Sequence, residues 1–236
     1  MWHKKLSALA CLTSALLALT SCTNESYDSG DGGLSYLCAE FVEIHTSHDT
    51  IMRSATTDAG SELIFSQPIR SSWASVPDSS YRALLYYDKA TSPVSVFSLQ
   101  RVLVLSPVPL PSAFLSAPVP SASLSAPVPS AFPEGSIDPL SVESVWTSES
   151  GKYFNLSLLL KTGNADGNTS QQWLSLVVDP EGSSDGDLLL LHRQNGVPEY
   201  YTSRAYVSIP VSSLPVDVPI NIRIHTYKGE KIYRLR

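Results

Sequence analysis

The residues able to do chemistry are few and widely spaced. His45-Thr46-Ser47-His48 brings two imidazoles together, and Asp49 follows as a third oxygen or nitrogen donor. A metal site needs three or four converging ligands. This stretch closes a β-prone run, where polar side chains face solvent, so no metal is expected there. His192 follows four leucines. A general base would need an orienting partner and a nucleophile, and no serine stands in a Gly-x-Ser-x-Gly turn. A strand-end histidine bonded to backbone groups is the expectation. Asn164-Ala165-Asp166-Gly167-Asn168 alternates oxygen side chains as a calcium loop does, but Thr169 and Ser175 stand where an EF-hand needs glycine and glutamate. A hairpin turn with Asp166-Gly167 at its tip is expected instead, and another at Asp185-Gly186. No phosphate-cradling glycine loop and no dinucleotide fingerprint occurs. A carboxylate pair for glycoside cleavage would leave no mark in the sequence. The expectation is no catalytic residue, no metal and no cofactor.

The three cysteines are Cys11, Cys22 and Cys38. Residues 1–21 have the parts of a secretory signal: His3-Lys4-Lys5, an apolar stretch from Leu6 to Thr20, and a small residue before Cys22. That apolar stretch is too short to span a bilayer comfortably. Leu19-Thr20-Ser21-Cys22 reads as a lipobox, in which the Cys22 thiol takes a diacylglycerol through a thioether and the signal peptide is cut away before it. Acyl chains on Cys22 would bind membrane lipid lastingly. Residues 22–33 lack apolar periodicity and read as a flexible tether. Thr23 stands where an aspartate would favour the inner membrane, so an outer-membrane lipoprotein is expected, facing the periplasm or the cell surface. Glu25, Asp28 and Asp31 resemble an acidic surface-export signal. Cys38, in the run Leu37-Cys38-Ala39, is expected as a buried thiol.

The chain of 236 residues has a net charge of −6. Loss of Lys4 and Lys5 leaves 14 basic against 22 acidic residues, or −8. The basic residues are scattered singly, whereas phosphate contacts need clustered Lys and Arg, so no nucleic-acid partner is expected.

These residues must be positioned by strands. Phe41, Val42, Ile44, then Leu63-Ile64-Phe65, Arg82 to Tyr87, Val94 to Phe97 and Val102 to Leu105 are β-prone runs with no helical period. They predict a small barrel over residues 34–105. Residues 106–135 form a Pro/Ser/Ala-rich repeat linker: 106–133 holds eight prolines and no charge, and 115–123 matches 124–132 at eight of nine positions. Proline cannot donate to a sheet ladder, so extended polyproline-like chain is expected, joining domains that fold independently. Residues 136–236 supply about seven strands, enough for an antiparallel β-sandwich. Ile220, Ile222 and Ile224 alternate with Asn221, Arg223 and His225, which puts three isoleucines on one face. The fold class expected is all-β, a small OB-like barrel followed by a sandwich.

This layout resembles the NigD-like family of Bacteroidota lipoproteins. The residues that carry the resemblance are the lipobox at Cys22, Tyr81-Arg82-Ala83-Leu84-Leu85, the stretch from Asp138-Pro139 to Trp146, Leu188-Leu189-Leu190-Leu191-His192, and the closing segment from Ile220 to Lys231. It implies an N-terminal OB-type domain and a C-terminal β-sandwich over nearly the whole mature chain. The proline repeat departs from the short connection such a protein would have. The family's name comes from a bacteriocin-associated operon, which implies an immunity-type role as one alternative.

Without a catalytic constellation, the expectation is a non-enzymatic module that binds an envelope protein or glycan, or supports an assembly at the outer membrane; a glycan-acting hydrolase is the alternative. OB-folds often hold oligosaccharides on one barrel face. Trp73, Tyr81, Tyr86 and Tyr87 are the candidate stacking aromatics on that face, with part of the set expected in the core.

Overall fold

The computed structural model describes residues 37–108, 137–164 and 170–236. The signal segment, Leu19, Thr20, Ser21, Cys22, the tether, residues 109–136 of the proline segment and the Asp166-Gly167 turn lie outside the described residues.

Five strands build the first domain: β1 (Leu37–Thr46), β2 (Met52–Thr57), β3 (Glu62–Ile69), β4 (Ser80–Asp88) and β5 (Ser95–Arg101). They form one sheet in the order β3-β2-β1-β4-β5. The sheet curls on itself through a parallel bridge between Phe65 and Val94, where Ser66 N–H donates to the Val94 carbonyl and Val94 N–H to that of Ile64, both at 2.8 Å. This is the OB-like barrel. Strict alternation sends Val42 and Ile44 of β1 and Ala83 and Leu85 of β4 inward, all fully buried. β2 escapes the sequence reading because Met-Arg-Ser-Ala-Thr-Thr is mostly polar, yet its Met52 and Ala55 fill the barrel.

After β5 the chain passes through the two-residue β6 (Leu103–Val104) and reaches the second domain: β7 (Ser141–Thr147), β8 (Tyr153–Thr162), β9 (Trp173–Val178), β10 (Asp187–Arg193), β11 (Tyr201–Pro210), β12 (Asn221–Thr226) and β13 (Gly229–Arg234). One sheet runs β13-β12-β10-β9 and the other β6-β11-β8-β7. Pairing is antiparallel except at β10–β12 and β6–β11. The two sheets enclose Leu156, Leu158, Leu188, Leu190, Ile209 and the three expected isoleucines, Ile220, Ile222 and Ile224, each at no more than 1% exposure. The Asp185-Gly186 turn joins β9 to β10, tightened by Asp187 N–H donating to the Ser184 carbonyl at 3.0 Å. A Cβ on Gly186 would meet the Pro219 carbonyl at 2.2 Å, so glycine is required there.

β6, which the sequence reading counts with the barrel, pairs with Val207 and Ser208 of the sandwich. The flanks of the proline segment also lie on the sandwich. Val108 N–H donates to the Leu176 carbonyl at 3.1 Å and the Val108 carbonyl accepts from Val178 N–H at 3.2 Å, and Val108 and Ile137 cover the outward side chains Val177, Leu189 and Leu191. The four-leucine run is therefore buried on both faces, the pattern of a strand inside layered structure.

Candidate functional site

The barrel and the sandwich meet along β4 and β11, and one arginine fills the middle of the seam. Arg82 points out of the barrel with its side chain 1% exposed. Its guanidinium donates twice to the Asp58 carboxylate at 2.6 Å, and its Nε reaches Ser208 Oγ at 3.4 Å. The Tyr153 ring lies 4.4 Å and the Phe41 ring 5.4 Å from its carbon. Phe41 in turn meets Trp146 and Tyr206 edge-on at 5.5 and 5.3 Å. Beside it the Tyr153 hydroxyl and Lys152 Nζ donate to Glu43 at 2.7 and 3.1 Å. Burial pushes the Glu43 carboxyl up, but these two donors outweigh it and hold it below the usual range. Burial and Glu43 push Tyr153 up to about 12. Every charge here has a partner, so this end of the seam joins the domains and presents nothing to a ligand.

The other end of the seam is open. At Val102 the chain leaves β5, pinned by Val102 N–H to the Arg82 carbonyl at 3.0 Å, and turns into β6. β5 and the upper part of β11 diverge there and leave a cavity of about 420 Å³. Leu103, Leu160, Leu174, Val197, Ala205 and Val207 form its apolar floor. Its polar lining comes from Gln100 and Arg101 of β5, Gln171 and Gln172 before β9, and Ser203 and Arg204 of β11. Among the described residues that line it, none is acidic. Arg204 is committed to Glu143 through two bonds. Arg101 is half-buried and has no acidic partner among the described residues. Its volume and its mixture of apolar floor and polar walls make it the candidate site.

His192 stands behind the wall of this cavity and is 1% exposed. Its Nε2 meets Gln172 Oε1 and its Nδ1 the Asp138 carbonyl, both at 3.2 Å. Burial holds its pKa below the ordinary histidine range. Its role is to brace Gln172, which donates to the Lys161 carbonyl. The His45-His48-Asp49 stretch does not converge: His45 pairs with Ser80 at 2.9 Å, exposed His48 with Asp78 at 3.3 Å, and Asp49 accepts from Ser47 and faces Arg70. Among the described residues no group of three His, Cys, Asp or Glu could hold a metal ion.

The four candidate aromatics do not share one face. Trp73 and Tyr81 pack edge-on at 5.8 Å against the barrel core, and the Tyr81 hydroxyl accepts from Val76 N–H at 2.9 Å. Tyr87 is buried at 5% exposure and donates to Glu40 at 2.9 Å. Tyr86 alternates to the opposite face of β4. Cys38 is half-buried at the core margin rather than fully buried, and donates to Glu40 at 3.1 Å. Burial pushes its thiol up, away from the reactive thiolate. Arg82 and Arg101 were not singled out from the sequence. Their signal is a charge set inside or at the end of an apolar strand run, and only the neighbouring domain shows which of the two is neutralised.

Barrel and sandwich together form a fold shared with solved structures from Bacteroides and Parabacteroides. Similarity extends to a NigD-like immunity protein from Bacteroides caccae, at 24% identity over 84% of this chain and 90% of that one, with a TM-score of 0.56. A provisionally named toxin-related protein from Parabacteroides distasonis matches at 19% identity over 84% and 92%, TM-score 0.56. A provisionally named lipoprotein from Bacteroides fragilis matches at 16% identity over 85% and 97%, TM-score 0.51. The fold implied by the family resemblance is the fold observed, and none of these names is that of an enzyme. No protein-family profile and no curated protein matches the sequence. Among the described residues no helix is long and apolar enough to cross a membrane.

Proposed function

We propose that this chain is a non-catalytic envelope lipoprotein, anchored through Cys22 in the outer membrane, whose two-domain body binds a partner molecule. The observation that carries the reading is the cavity at the open end of the seam: about 420 Å³, an apolar floor and amide-rich walls that both domains contribute. Its histidine neighbour is walled off from it and braces a side chain, which is the chemistry of holding a ligand rather than transforming one. The anchor is supported by the Leu19-Thr20-Ser21-Cys22 sequence, the short apolar segment before it and the polar tether after it. The lipoprotein name of the Bacteroides fragilis neighbour agrees with it. An immunity-type role, in which the partner is a toxic protein, is the second reading, and the name of the Bacteroides caccae neighbour favours it.

Metabolic labelling with an alkyne fatty acid tests the anchor. Wild type should label and sediment with outer membranes, and Cys22→Ser should do neither. A Cys22→Ser variant that still labels, or a wild-type protein found free in the periplasm, would overturn it. Photo-crosslinking from a residue at the cavity rim in intact cells tests binding, with a discrete adduct as the expected result. Turnover of an envelope polysaccharide by the purified chain, abolished by one carboxylate substitution, would replace this reading with the hydrolase.

A further inference from the structure

β13 ends its sheet, and among the described residues no strand pairs with it beyond β12. Its register with β12 is unbroken from Asn221–Arg234 to Thr226–Gly229. Leu235 N–H donates to the Ile220 carbonyl at 2.7 Å, so Leu235 turns its backbone toward β12. Alternation turns Tyr233 and Lys231 the same way, and leaves the N–H and C=O groups of Glu230, Ile232 and Arg234 on the open side.

The same three residues share one face. Tyr233 and Leu235 pack against the sandwich core, which puts their alternating neighbours on the outer side of the sheet. Ile232 is 69% exposed there. Glu230 accepts from Arg223 at 3.4 Å, and Arg223 stands opposite Ile232. Arg234 has no acidic partner among the described residues, and its Nε reaches the Arg236 carbonyl at 3.4 Å. An open strand edge with a large apolar side chain at its middle is a template for another strand.

We propose that the occupant is a second copy of this chain, the two β13 strands pairing antiparallel about a twofold axis at Ile232. Charge selects both the partner and the register. Centred on Ile232, the pairing sets Ile232 against Ile232 of the other copy and Glu230 against its Arg234, twice over. Centring on Glu230 or Arg234 would set like charges face to face, and centring on Lys231 or Tyr233 would set Ile232 against a charged side chain. The strand is thus its own complement in one register, with apolar against apolar and acid against base. The backbone agrees, because the residues brought opposite each other are those whose N–H and C=O groups are free. Each such pair exchanges two hydrogen bonds, about six in all. The interface is isologous and closed, and it joins two four-stranded sheets into one continuous sheet.

Sedimentation equilibrium of the purified full chain in density-matched detergent, with copurification of two differently tagged forms, tests the assignment. Wild type should form a reversible dimer. Ile232→Pro removes the two central donors without touching the β12 ladder, a position where an edge strand tolerates proline, and should abolish the dimer. Glu230→Arg and Arg234→Glu should each weaken self-association at least tenfold with unchanged circular dichroism, since the side chains are exposed. Mixed together, these two single variants should pair with each other, because each arginine then meets a glutamate. Both substitutions in one chain should likewise restore the homodimer to within about threefold of wild type, as expected for a swapped cross-strand pair. A monomer at every concentration, a dimer unmoved by these variants, or single variants that fail to pair with each other would overturn the proposal. A crosslink in cells from this edge to a different protein, with no dimer, would give the edge to that partner and overturn it equally.

Discussion

Arg82 and Arg101 lie on adjacent strands of the same barrel, Arg101 directly opposite Ala83, and the seam treats them in opposite ways. Arg82 is closed in by the second domain, with a carboxylate, two aromatic rings and a hydroxyl around it. Arg101, at the end of β5 and at the rim of the cavity, has no acidic partner among the described residues. The first arrangement joins two domains and leaves no capacity to bind anything else. The second makes no ion pair between the domains among the described residues. The residue type is the same, and the face of the barrel each side chain occupies, set by the pairing of Ala83 with Arg101, separates them.

The strongest way to break this comparison is at Arg82. Arg82→Ala leaves the Asp58 carboxylate, 16% exposed, without its partner and should cost about 3 kcal/mol or more in chemical denaturation. The single unfolding transition expected of the wild type should then split into barrel and sandwich transitions. Arg82→Lys should recover little, because an ammonium cannot make the paired bonds or stack between the rings. A variant that melts within a degree of wild type would show that the seam is a passive contact.

At the open end, His192 couples the cavity wall to pH. Burial lowers its folded pKa below the unfolded value of about 6.5. The unfolded chain therefore binds more protons just below that pH, and stability falls as pH drops from about 6.5 toward the folded value, by at most about 1.4 kcal/mol per unit. Denaturation at pH 7.5 and 5.5 should show this loss in wild type, and His192→Gln should remove it. An unchanged difference between the two pH values would place the titrating group elsewhere.

Smaller effects sharpen the contrast. Tyr153→Phe removes one hydrogen bond to Glu43 and should cost about 1 kcal/mol, with the Glu43 carboxyl titrating higher by NMR. Arg101→Ala should change stability by less than about 0.5 kcal/mol, as expected for a side chain without a bonded partner among the described residues. Deleting one nine-residue repeat shortens the connection between Val108 and Ile137 and should shift stability by only about 0.3 kcal/mol through loop closure. A loss of several degrees on that deletion would show the repeat to be packed structure.

Much of the fold was legible because local periodicity survives in the chain. The alternation of Ile220, Ile222 and Ile224 with polar neighbours marked a strand with one buried face, and all three are buried. β2 was illegible because its inward residues, Met52 and Ala55, sit among threonine, serine and arginine and form no apolar run. The candidate site was less legible still. Trp73, Tyr81, Tyr86 and Tyr87 are large and polar-tipped, features shared by core and surface aromatics, and Tyr87 proves to be buried with its hydroxyl satisfied by Glu40. The chance neighbours His45 and His48 turn to Ser80 and Asp78, partners 35 and 30 residues away, which no spacing rule within the stretch could reveal.

By itself, the sequence determined what depends on residue order over a few positions: the all-β class, the strands and turns with clear alternation, and the barrel and sandwich suggested by strand spacing. Tertiary structure decided what depends on separation in space. Arg82 meets Asp58 across 24 residues and Ser208 across 126, while Arg101, opposite Ala83, has no acidic partner among the described residues. A guanidinium becomes a structural pin where a fold brings an acid within bonding distance, and that is a property of the packed domains rather than of any stretch of chain.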